Sequence, residues 1–268
     1  MRQNIKKKNK LIILGSGNSL GVPTIIGDWG KCAVNNKNRR TRCSLYVKLS
    51  GIKFLIDTSP DLFQQVLKNK IKKIDKVFYT HIHSDQTNGI TDLETFYLKQ
   101  KKTIDIYGEK RVINYLLKKL SYLFFTKDNN FSKILKPKII KNKIFFKIKN
   151  KEILIEPIEI LHGNLKAFGY KFSNIAYLSD CSFIPEKSLK KLLNLNLLII
   201  DCLQFKKHKC HLNFNEALNY IKIIRPKKTI LTNMSKEIDY FKLKKKLLSK
   251  KYKNYNIFVG YDGKKILF

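Results

Sequence analysis

Carboxylates are scarce in this chain of 268 residues: 20 Asp and Glu stand against 55 Lys and Arg, a formal charge of +35. Such an excess points towards polyanions, but the lysines are scattered along the whole chain among abundant Asn and Ile. That is the pattern of codon bias in an AT-rich genome. A solvated lysine coat accounts for it better than a dedicated nucleic-acid surface, while still drawing in anionic substrates. Apolar runs are also short. None reaches the roughly 18 residues of a membrane span. In the basic N-terminus only LIIL precedes Gly15, too short for a signal-peptide core, so a cytoplasmic location is expected. Cysteines number five, an odd count without a CxxC pair. Reduced thiols are expected, and a disulfide framework is excluded. The glycine-rich stretch LGSGNSLGVP (Leu14 to Pro23) lacks the Lys-Ser/Thr ending of a phosphate-binding P-loop and has no GxGxxG spacing before a helix.

What the chain does have is THIHSDQTNG, Thr80 to Gly89. It follows KVFY, a short run that reads as a strand, and precedes ITDLETFYL, which reads as a helix start. His81, His83 and Asp85 are placed two residues apart, on one face of an extended segment. Two imidazoles and a carboxylate from one loop are ligand types for Zn²⁺. An isolated His-x-His is often just a pair of surface or core histidines. Here two of only five histidines fall in the loop, and partners follow downstream.

The rest reads as alternating strands and helices in one domain, 1–268. Cys43 to Leu49 and Ile52 to Asp57 form a hairpin about Ser50-Gly51. Asp61 is placed to cap a helix from Leu62. Ser121 to Lys136, aromatic and basic, reads as a connector or flap. His162 and Asp180 each follow a strand. Leu195 to Asp201 is a buried strand. Asn213, with Glu216 three residues on, caps a helix from Phe214.

The segments LGSGNSLGVP, NRRTRCS (Asn38 to Ser44), the histidine loop, YLSD (Tyr177 to Asp180) and HLNFNEAL (His211 to Leu218) together resemble the metallo-β-lactamase superfamily. The closer likeness is to its phosphodiesterase-like hydrolases, the phosphoribosyl 1,2-cyclic phosphate phosphodiesterase group. The resemblance implies a four-layer αββα sandwich. It implies a metal site of His81, His83, Asp85, His162 and Asp180, with Asp57 supporting the loop from behind. It makes His211 a proton donor. Some relatives carry a structural zinc on clustered cysteines, but GDWGKC (Gly27 to Cys32) has only one, so none is expected here.

Two departures matter. Gln86 stands where the family has the last histidine of its motif, and Asn233, Ser235 and Lys236 occupy the loop of its final histidine. The first site, His81, His83 and His162 with Asp180, is complete. Zinc is expected there, with a second ion weak, absent, or a harder Mn²⁺ or Mg²⁺. The expected function is hydrolysis of a small phosphodiester or cyclic phosphate by metal-activated water. In that reading Asp85 orients the water and His211 protonates the leaving oxygen. Arg39, Arg40, Arg42 and His208 hold the phosphate. The alternatives are a tRNA 3′-end-type ribonuclease and a non-catalytic scaffold. A small phosphorylated substrate is favoured over nucleic acid, and the chain is expected as a monomer or homodimer with no membrane partner.

Overall fold

The computed structural model describes residues 9–125, 133–148 and 151–268. Part of the expected connector, 126–132, lies outside them. The chain forms β1 (Lys10–Gly15), β2 (Ser44–Leu49), β3 (Ile52–Ile56), β4 (Lys76–Phe78), β5 (Ile104–Gly108) and β6 (Leu135–Ile139). Next come β7 (Ile144–Ile148), β8 (Lys151–His162), β9 (Leu165–Phe172), β10 (Ile175–Leu178), β11 (Leu197–Asp201), β12 (Thr229–Thr232), β13 (Ile257–Val259) and β14 (Lys264–Leu267). One sheet runs β14-β1-β2-β3-β4-β5-β6 and the other β13-β12-β11-β10-β9-β8-β7. In each, one half is antiparallel and the other parallel: β3 to β6 in the first sheet, β10 to β13 in the second.

Strands buried on both faces send alternate side chains into two different cores. Leu11, Ile13, Leu45, Val47, Phe54 and Ile56 meet Ile155, Tyr170, Phe172, Tyr177 and Ile199 between the sheets. Their neighbours Ile12, Leu14 and Leu55 pack outward with Leu93, Val112, Ile113 and Leu116 of the helices Leu93–Gln100 and Lys110–Lys119. On the far side Ile158, Leu178, Leu198 and Ile200 pack with Ala217, Ile221 and Leu243 of the helices Phe214–Ile224 and Tyr240–Leu247. The layers are therefore helix, sheet, sheet, helix, as expected. The edge-on pair of Phe54 with Phe172 at 5.5 Å stitches the two sheets together, while Phe54 with Phe78 at 5.3 Å joins neighbouring strands of the first, each adding about 0.5–1.5 kcal/mol beyond its buried area. Among the described residues no helix is long and apolar enough to cross a membrane.

Local expectations met mixed outcomes. The hairpin turns at Ser50 and Gly51, both with positive φ, as a tight turn between twisted strands requires. Asn213 accepts from the backbone N–H groups of Asn215 and Glu216, and the Glu216 carboxylate accepts from the Asn213 N–H, completing a capping box. Asp61 precedes its helix but does not cap it. Its carboxylate instead accepts from the backbone N–H of Arg42 and pairs with that residue's guanidinium. Asp85 is not placed by strand alternation either, because Ser84–Thr87 is a helical turn.

Candidate metal and phosphate site

Parallel strands put their carboxyl ends on one edge of each sheet, and the polar residues gather there. β4 leads into His81 and His83, β8 ends in His162, β10 leads to Asp180, β11 ends in Asp201 and β12 leads to Asn233. The hydroxyl of Tyr170 donates to the Tyr79 carbonyl at 2.6 Å, and the Phe168 N–H donates to the Thr80 carbonyl. These bonds clamp the histidine loop of the first sheet against β9 of the second. Asp57, Asp180 and Asn233 all take the left-handed conformation just after their strands, with φ of 63°, 48° and 62°. Asp and Asn are among the few side chains that tolerate it, and here it turns the chain sharply at the site.

The histidine tautomers follow from their partners. The buried Asp57 carboxylate accepts from both the backbone N–H and the hydroxyl of Thr80, at 2.8 and 2.9 Å. With its proton so used, the Thr80 oxygen accepts from Nδ1 of His81 at 2.9 Å, which leaves Nε2 of His81 bare. Nδ1 of His162 lies 2.7 Å from the Cys210 carbonyl, which can only accept, so Nε2 of His162 is bare as well. Nε2 of His81 sits 2.9 Å from Nδ1 of His83. His81, His83 and His162 thus offer nitrogens within 4.8 Å of one another, and His162, Asp180 and His211 form an overlapping group. His83 alone among the three imidazoles is exposed. Burial holds His81 well below the usual imidazole range and His162 at about 4, with the neighbouring histidines adding to both. His81 and His162, each oriented from behind by a hydrogen bond, turn bare nitrogens towards a place where a cation could be held, with His83 beside them. Three imidazoles, with Asp180 on the far side of His162, are a donor set that fits zinc.

Asp85 stands outside both groups. Its carboxylate accepts from Nε2 of Gln86 at 3.0 Å, and the same nitrogen donates to Asp180 at 3.0 Å. Nδ2 of Asn233 lies 3.3 Å from carboxylate oxygens of both Asp180 and Asp201. The two amide nitrogens therefore stand among three carboxylates, those of Asp85, Asp180 and Asp201. Burial, with repulsion from Asp85, lifts the Asp180 carboxyl to about 7.

His211 donates from Nδ1 to the buried Asp201 carboxylate at 2.7 Å. Burial opposes its charge, but Asp201, Asp180 and Asp85 outweigh that and raise it to about 9. Asp201 also accepts from the Cys181 N–H. Its role escaped the sequence reading. The signal was there, since IKFLID, YLSD and LLIID are three apolar strands each running into an acid.

The expected phosphate-binding residues divide. Arg42 is half-buried beside Ser84 and Asp85, with Nε 3.0 Å from Asp61. Arg39 is exposed, with its guanidinium 5.3 Å from the Trp29 ring. His208 is exposed, and its ring lies 5.2 Å from that of His211. Arg40 is a correction. It is 2% exposed and donates to the Ser235 and Ile238 carbonyls and to Asn38, so its fork is spent pinning the first loop to the 235–238 segment.

Comparison with known proteins identifies the fold and the family. A family model described as a β-lactamase superfamily domain matches residues 53–234. The solved structure of a diphosphatase from the PhnP family is 28% identical, covers 97% of each chain and superposes with a TM-score of 0.86. An octanoyltransferase of Porphyromonas gingivalis is 30% identical over 257 residues, 95% of this chain and 50% of that protein. A ribonuclease Z of Prochlorococcus marinus is 32% identical over 171 residues, 59% of this chain and 47% of that protein. The chain thus spans about half the length of the curated relatives it matches. It belongs to the β-lactamase superfamily, with the metallo-β-lactamase fold, in the PhnP-like group.

Proposed function

We propose that this chain is a metal-dependent phosphodiesterase that holds one zinc ion and hydrolyses a small phosphodiester, cyclic phosphate or phosphoanhydride. The observation that carries the reading is the meeting of His81, His83 and His162, with bare nitrogens on His81 and His162 and with Asp180 adjoining. A divalent ion held by these four residues supplies positive charge that acidifies water and offsets charge growing on the phosphoryl oxygens. Asp85, at the mouth beside Arg42 and Ser84, orients the attacking water. Arg42 offers a planar fork to a phosphoryl oxygen once Asp61 shares it. His211, held as an imidazolium by Asp201, presents its other ring nitrogen to the leaving oxygen and donates a proton there. The burial of Asp201 and Asp180 keeps that proton transfer in a low-dielectric setting.

The test is metal content and turnover of bis(p-nitrophenyl) phosphate by purified protein. Bound zinc with chelator-sensitive, zinc-restored turnover supports the reading. Absence of both rejects it. Two observations favour other readings. The match to a protein named ribonuclease Z and the charge of +35 favour RNA 3′-end cleavage, which an assay on 3′-extended precursor tRNA decides. The amides at Gln86 and Asn233 favour a non-catalytic scaffold, for which zinc would raise the melting temperature without turnover.

A further inference from the structure

Two clefts open at the histidine edge and share one wall, made by Leu20, Thr24 and Lys236. The smaller, about 580 Å³, holds Ser84, Asp85 and Arg42 and so belongs to the reacting centre. The larger, about 730 Å³, runs past His208. The His208 ring is 5.2 Å from that of His211, which is 4.7 Å from that of His162. A molecule reacting at the histidines can therefore extend into the larger cleft, whose size suits a drug-sized group rather than a lone phosphate.

The charges there are unevenly committed. Lys31 pairs with Glu237, and Lys236 with Asp28. The Asp239 carboxylate is taken up by the N–H groups of Ala33 and Lys242 and the amide of Asn38. Among the described residues, no carboxylate pairs with the ammonium groups of Lys206 and Lys242, which line the same cleft. Phe205, 42% exposed, and Leu20, 62% exposed, also line it. Two uncommitted cations beside an exposed aromatic and an exposed aliphatic side chain match an anion joined to a flat, weakly polar ring. They lie in a different cleft from Arg42, so this anion is a second one.

We propose that the larger cleft binds the departing half of a phosphoanhydride, a nucleoside monophosphate, so that the substrate is a nucleoside diphosphate ester rather than a lone cyclic phosphate. This rests on the hydrolase reading above. The oxygen of water bonds to the phosphorus held at the histidines, and the bond from that phosphorus to the bridging oxygen breaks. The nucleoside monophosphate leaves with the bridging oxygen and takes the proton from His211. The proton released by water restores it. Lys206 and Lys242 hold the departing phosphate, and Phe205 and Leu20 flank its base.

The test compares kcat/KM for diadenosine 5′,5″-diphosphate with that for bis(p-nitrophenyl) phosphate, in the full chain and in F205A and K206A/K242A variants of unchanged melting temperature. The ratio is expected to fall about tenfold or more in each variant, the worth of one charge-assisted hydrogen bond or a stacked ring. The fall should come mainly through KM for the diphosphate. A ratio that stays constant overturns the proposal while leaving the hydrolase intact. If the wild-type chain turns over neither compound, the hydrolase reading has failed. Calorimetric titration with AMP then judges the cleft alone. Binding that both variants lose supports it, and no binding overturns it.

Discussion

The side-chain nitrogen of Gln86 lies 3.0 Å from a carboxylate oxygen of Asp180 and equally close to one of Asp85. Turned the other way, the amide would set its oxygen against two carboxylates, so the nitrogen-inward orientation is the one the site selects. With Asn233 between Asp180 and Asp201, neutral donors face all three carboxylates, and the proposed single-ion site follows from that. Purified wild-type chain is therefore expected to carry one equivalent of zinc by elemental analysis. Q86H/N233H, which removes both donors and adds two imidazoles, is expected to carry two. A double variant still at one equivalent contradicts the assignment.

The hydroxyl of Thr80 links Asp57 to His81. The T80V variant loses that hydroxyl, frees the His81 ring and strips the buried Asp57 of one donor. Zinc affinity, measured by chelator competition, is expected to fall about 10–100-fold, the usual cost of losing a hydrogen bond behind a metal ligand. Stability is expected to drop by about 1–3 kcal/mol in urea, from the carboxylate left short of a partner.

Arg40 and Arg42 lie two residues apart with opposite roles. R40L removes the charged donor shared by the Ser235 and Ile238 carbonyls and is expected to cost about 2–4 kcal/mol of stability. R42A is expected to fold normally and to raise KM for a phosphodiester about tenfold, the worth of one charged contact. Equal melting temperatures for the two variants would contradict the division.

Gly89 closes the histidine loop where no side chain fits. A Cβ there would lie 2.1 Å from the Ser59 carbonyl oxygen and 2.8 Å from Leu62 Cβ. The backbone on both sides is tied, Gly89 N–H to the Thr58 carbonyl and Thr58 N–H to that of Gln86. G89A must therefore move the loop that carries His81 and His83. It is expected to lose about 1–3 kcal/mol and to bind zinc more weakly, both readable from thermal melts with and without the metal.

Much of this site could be read in the chain because its signals are local. The spacing of His81 and His83, the strands ending in acids and the Asn213–Glu216 capping box each need only a few neighbouring residues. What stayed hidden depends on distant partners. Nothing near Arg40 says that it turns inward, since the carbonyls it donates to lie nearly two hundred residues away. Gln86 looks like a lost ligand until Asp180, 94 positions on, shows what its amide donates to. Asp61 looked like a helix cap because the helix is adjacent, but Arg42 supplies donors that outcompete the helix N–H groups.

The most direct measurement is calorimetric titration of chelator-stripped protein with Zn²⁺, run on the wild-type chain and on H83Q and H162Q. One equivalent with tight binding is expected for the wild type, and a loss of at least 100-fold in affinity for either variant, as removing one of three imidazole ligands demands. Absence of binding by the wild type, or variants that bind as tightly as it does, would mean that the three histidines do not share an ion.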